Sequence, residues 1–198
     1  EGFYYRPRID KELLKIYNEG LICTSGCLAG EVTHFASIGD IKNTKRAALE
    51  YAEIFPNRFY IEIQNHKIPE EEVARNVLIK IAKELNIPLV ATNDCHYCLE
   101  EHWEAHDVLF CLGTDKNRND TNRIRYEPKQ FYIKSVDEMA KQFSNAPNAI
   151  ENTLKIAESC DLEIPMGKYH LPAFPISNDN NANPDSYLKK LCIEGLSK

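Results

Sequence analysis

Long apolar runs are missing from this sequence. The longest, Ile87 to Ala91 and Val108 to Leu112, fall far short of the ~20 apolar residues of a membrane-spanning helix. No charged-then-apolar leader opens the chain, so neither a membrane partner nor export is expected. A disulfide framework is missing too. The seven cysteines (23, 27, 95, 98, 111, 160 and 192) form an odd set scattered through helical and strand-like text, which fits reduced thiols in a cytoplasmic protein. Nor is there an excess of basic charge. With 24 Lys and Arg against 30 Asp and Glu, the net charge is -6, so the chain has no general attraction for phosphate backbones and nucleic-acid contact must be local. What is present is 43% hydrophobic content, enough for a real core. The chain opens at Glu1-Gly2-Phe3 without Met and stops in helix-like text, as expected of a piece excised from a longer protein.

Helix-like and strand-like segments alternate. Apolar residues at 9, 13, 14, 16 and 17 before Gly20 predict a first helix, and residues 20–24 a short strand. A short helix is expected over 28–37, and a longer one from the cap Asp40 to about Phe55. Residues 58–64, rich in β-formers, predict a second strand. Pro69 and the three glutamates behind it open the clearest helix, because acidic side chains suit the positive end of the helix dipole. Residues 88–92 predict a third strand and 99–112 another helix. A polar stretch over 113–130, a strand fragment at 131–133, and helices opening at Ser135 and Asn148 follow. Prolines, glycines and asparagines after residue 165 mark a boundary near Met166, which divides the chain into 1–165 and 166–198, the latter ending in a helix from Asp185.

Repeated β-then-α units imply an α/β fold with mostly parallel strands, open or closed into a barrel. Chemistry in such folds gathers at the carboxyl ends of the strands. There the sequence delivers Cys27, His66, and Asp94 with His96, all able to ligate metal. Asp94-x-His96 suits two ligands on one side of an extended backbone, or equally an Asx turn with a surface histidine. Cys27 precedes a helix start, where a thiolate is favoured, yet cysteine is commonly a core residue. His66 serves a site or satisfies a turn; Glu62 and Gln64 share its strand face. Cys95-x-x-Cys98 lacks a matching second pair, and His102 and His106 lack the glutamate of a helical metalloprotease motif. Arg118, Arg123 and Arg125, diluted by nearby carboxylates, form a solvated loop or a phosphate-contacting one.

Five motifs then occur in order: Ser25-Gly26-Cys27-Leu28-Ala29-Gly30-Glu31, Phe59-Tyr60-Ile61-Glu62-Ile63-Gln64-Asn65-His66, Ala91-Thr92-Asn93-Asp94-Cys95-His96-Tyr97, Ala105-His106-Asp107-Val108-Leu109 and Gly167-Lys168-Tyr169-His170-Leu171-Pro172. Together they resemble the bacterial DNA polymerase III alpha subunits, the C-family replicative polymerases. The resemblance implies that residues 1–165 are the later part of a PHP domain, a distorted (β/α)7 barrel whose first strands lie upstream, and that 166–198 lead toward the polymerase palm. It implies Cys27, Asp94 and His96 as metal ligands, with Asp94 and His96 catalytic and His66 nearby. Further ligands, including a His-x-His, would precede this stretch; none of the six histidines (34, 66, 96, 102, 106 and 170) forms that pattern. The implied chemistry is metal-assisted trimming of a mispaired DNA 3′ end with zinc or manganese, beside a magnesium-dependent polymerase centre elsewhere. Expected partners are DNA, a sliding clamp and a proofreading exonuclease, and uncovered strand edges suggest self-association. Two other readings are a free-standing PHP phosphoesterase, such as a histidinol-phosphatase-like enzyme, and a non-catalytic docking module for the exonuclease.

Overall fold

The computed structural model describes residues 3–169, 176 and 183–196, and divides the chain into units Glu1–Cys160 and Asp161–Lys198. The first unit opens with a two-residue hairpin, β1 (Phe3–Tyr4) against β2 (Arg6–Pro7), which turns at Tyr5 with φ 57. α1 (Lys11–Ile16) starts where the Asp10 carboxylate accepts from the Leu13 amide. β3 is only Cys23–Thr24. It is tied down from the next strand by Arg58, whose guanidinium donates to the Asn18 and Leu21 carbonyls.

The helices that follow form where local chemistry dictates. α2 (Glu31–Ser37) follows Gly30, and α3 (Ile41–Ile54) is capped by Asp40, which accepts from the Asn43 amide at 3.0 Å. β4 (Phe59–Ile63) leads into α4 (Pro69–Leu85), with Pro at its start, three glutamates in its first turn and the left-handed Asn86 (φ 55) closing it. β5 (Leu89–Ala91) ends beside the candidate site. A 3-10 turn, Glu100–His102, precedes α5 (Trp103–Thr114). α6 (Val136–Gln142) opens on a capping box of Ser135 and Glu138, and α7 (Pro147–Ser159) on a proline. In the second unit, α8 spans Pro184–Leu196.

The strands form a parallel sheet in the order β3-β4-β5, with Cys23 opposite Phe59, Ile61 opposite Leu89 and Ile63 opposite Ala91. Along β4 the side chains alternate between faces. Phe59, Ile61 and Ile63 are buried against Val32 of α2, Ala48 of α3, Leu78 and Ile81 of α4, and Phe143. The other face carries a buried carboxylate. Glu62 accepts from Thr24 at 2.6 Å, from Gln64 at 3.0 Å and from the Thr92 hydroxyl, which joins all three strands through polar side chains. A buried carboxylate requires such partners.

The fold is therefore mixed α/β, with a short parallel sheet flanked by helices. Its strands are shorter than the sequence predicts, and residues 131–133 keep only a single bridge, Tyr97 to Tyr132. The helix expected from Leu99 starts at Trp103, because the preceding turn is 3-10. His170 to Pro172 of the last motif, and Asn178 to Ala182, lie outside the described residues. Among the described residues, no helix is long and apolar enough to cross a membrane.

Candidate functional site

Each candidate ligand does follow the carboxyl end of a parallel strand: Cys27 after β3, His66 after β4, and Asp94 with His96 after β5. Between β5 and His96 the chain is extended and pinned by Phe131, whose carbonyl accepts from the His96 amide at 2.8 Å and the Tyr97 amide at 3.2 Å. That pinning turns Asp94 and His96 toward each other. Their side chains meet at 3.2 Å between Asp94 Oδ2 and His96 Nε2, both partly exposed.

His66 is fully buried and lies behind that pair. Glu71, in the first turn of α4, curls back so that one carboxylate oxygen faces His66 Nδ1 at 2.7 Å while the other accepts from the His66 amide at 2.6 Å. On the far side of the ring, Nε2 accepts from the Asp94 amide at 3.2 Å. An acceptor Nε2 carries no proton, so Nδ1 holds it and donates to Glu71. Phe131 stacks flat on the imidazole, with 4.3 Å between centroids and 9° between planes. His66 is thus a positioning residue: it fixes the backbone that carries Asp94.

Cys27 is placed differently. Its loop turns at Gly26 (φ 71), and the Gly30 amide donates to the Cys27 carbonyl at 2.8 Å. The exposed thiol borders a small cleft shared with Glu62, Gln64, Glu71 and Arg75. The sequence suggests one rim that gathers three donors. Among the described residues, however, no three His, Cys, Asp or Glu side chains are close enough to share a cation. The physical reason is that Asp94 and His96 are spent on each other while Cys27 opens onto the cleft beside β4. A pair of donors fits part of a metal centre, but a zinc site takes about four, so the residues present do not close one.

The remaining candidates make the following contacts. Arg123 is 4% exposed and grips Asp107 of α5 with both terminal nitrogens, at 2.6 and 2.9 Å. This contact holds the Asp107 carboxyl below the usual aspartate range. Arg118 pairs with Glu104 at 2.9 Å and Asp107 at 3.4 Å, whereas Arg125 donates only to the carbonyls of Arg118 and Asp120. Cys95 and Cys98 are exposed free thiols. His106 belongs to an aromatic cluster: Tyr126 meets it edge-on at 5.1 Å and lies 4.3 Å from the His96 ring. Burial, then the neighbouring His96, lowers the His106 pKa.

Sequence reasoning missed Glu71 and Tyr126. Glu71 looked like one of three dipole-complementing glutamates, and Tyr126 lay inside a stretch read only for its charges. Proximity of Pro69 to the strand end was the one available signal for Glu71.

Against known proteins, residues 1–66 match the family model described as the PHP domain. Across 197 residues, 99% of this chain, it is 42% identical to a DNA polymerase III subunit alpha of Borreliella burgdorferi and 40% identical to that of Treponema pallidum, covering 17% of each. The Thermus aquaticus protein of the same name is 36% identical over 202 residues, with 16% of its length covered. The chain therefore spans only a small part of the curated relatives it matches. Over 99% of its length the chain is thus similar to one stretch of the DNA polymerase III alpha subunits, and the PHP-domain match lies at its start.

Proposed function

We propose that this chain is the PHP-bearing part of a cytoplasmic replicative DNA polymerase alpha subunit, with residues 1–165 contributing to a distorted (β/α)7 barrel and 166–198 leading toward the palm. The observation that carries this reading is the 42% identity maintained over 197 residues. In the complete polypeptide, template-directed DNA synthesis runs on magnesium held outside this stretch, with DNA, a sliding clamp and a proofreading exonuclease as partners. Asp94 and His96, with Cys27 and donors from elsewhere in that polypeptide, would hold zinc or manganese, which would supply an activated water for hydrolysis of a mispaired 3′ end. Because no three donors among the described residues share one position, the 198 residues alone are inactive in that hydrolysis.

A second reading has its own support. The direct Asp94 to His96 contact and the separate cleft of Cys27 suit an inert rim that docks a separate exonuclease. A free-standing phosphoesterase is disfavoured, since the relatives extend far beyond the matched segment. The test is the complete gene product on a primed template. It extends the primer, and Asp94→Asn removes hydrolysis of a mispaired 3′ end while extension persists. Absence of primer extension, or equal loss of both activities in Asp94→Asn, would overturn the catalytic reading. No hydrolysis by the native gene product alone would leave the docking module.

A further inference from the structure

Between α5 and the 115–130 segment lies an open cavity of about 1030 Å³, at the upper end of ordinary ligand pockets (~300–1,000 Å³). Its aromatic wall is Tyr97, Trp103, Phe110 and Tyr126. Four cations line it, and they are not equivalent. Arg118 and Arg123 are neutralised by carboxylates of α5. Arg125 is exposed and bonded only to carbonyl oxygens, and Lys129 sits 3.5 Å over the Trp103 ring. Neither has an ion-pair partner among the described residues. A ligand phosphate therefore finds two cations free of direct ion pairs beside a π surface, with Glu100 and Glu127, equally unpaired among the described residues, on the same lining.

We infer that this cavity binds the end of a single DNA strand, one base stacking on the aromatic wall and its phosphate meeting Arg125 and Lys129. Stacking platforms beside cations suit unpaired bases, whose faces a duplex would cover. Glu100 and Glu127, which also line the cavity without ion-pair partners among the described residues, repel a densely charged ligand such as a triphosphate and favour a strand with one charge per base. The cation over Trp103 holds the ring until a base displaces it. Tyr126 joins the cavity to the candidate site, since its ring is 4.3 Å from His96. The choice of DNA rests on the polymerase reading above.

Trp103 is the sole tryptophan of the chain, so its fluorescence reports on the cavity directly. Titrating the 198-residue chain with a short oligothymidylate is expected to quench that emission saturably, with weaker binding as salt rises. A strand of equal charge but without bases binds about fivefold or more weakly, and Arg125→Ala weakens the oligothymidylate further while leaving the melting temperature unchanged. No saturable quenching of the folded chain, equal binding of the abasic strand, or no effect of Arg125→Ala would each overturn the inference. None of these readouts involves primer extension, so failure here and failure of the polymerase reading are told apart.

Discussion

His66 braces the backbone that carries Asp94, as a strut does. His66 is wedged between Glu71 and the Asp94 amide, with Phe131 flat against its ring. The interaction is worth more than one hydrogen bond, because removing either partner strands a buried polar group. Glu71→Ala is expected to cost about 1–3 kcal/mol, read from the urea midpoint. The ring should be neutral with its proton on Nδ1, which long-range ¹H–¹⁵N spectra of the imidazole report directly. A proton on Nε2 would contradict the strut. The sequence displayed His66 as a candidate after a strand, but its partner five residues on was invisible, since only the fold reveals that the first turn of α4 folds over the strand end.

At the scale of elements, caps and a proline made α3, α4 and α6 legible: Asp40, Pro69 and Ser135 each act within one turn of chain, and α7 starts at Pro147, one residue before the Asn148 expected. The anchoring of the 115–130 loop was not legible, because the Arg123 to Asp107 pair joins residues 16 apart and depends on α5 already lying there. Strand lengths were overestimated for a similar reason. Tyr132 finds one bridging partner, Tyr97, however strong its local preference. Gly30 shows a constraint that periodicity cannot see. A Cβ there would sit 2.1 Å from the Ser25 carbonyl oxygen, so Gly30→Ala should lower stability by about 1–3 kcal/mol and shift the Cys27 loop, measured by denaturant titration. α6 carries a pH signature. Glu138 accepts from the Ser135 amide, the Tyr132 hydroxyl and the Ser135 hydroxyl, which hold its carboxyl at about 2 against an ordinary 4.5, while the same contact pushes Tyr132 up to about 12. A depressed carboxylate stabilises the fold above its unfolded value. The stability difference between the native chain and Glu138→Gln should therefore be complete above pH 4.5 and fade as pH falls toward 2. A difference independent of pH over that window would contradict the capping box.

For the molecule as a whole, parallel strands and their helices were readable from alternation, and the ligand types from their place at strand ends. Their convergence was not. Asp94 meets His96 where the Phe131 carbonyl holds the His96 and Tyr97 amides, and Cys27 borders the cleft beside β4; both follow from long-range contacts. The central claim is that this rim serves a divalent ion in the complete polypeptide. Elemental analysis of the purified full-length gene product, native and Asp94→Asn, measures it most directly. The account predicts bound zinc or manganese in the native protein and its loss in the variant with the fold intact; equal metal in both, or none in either, would contradict it.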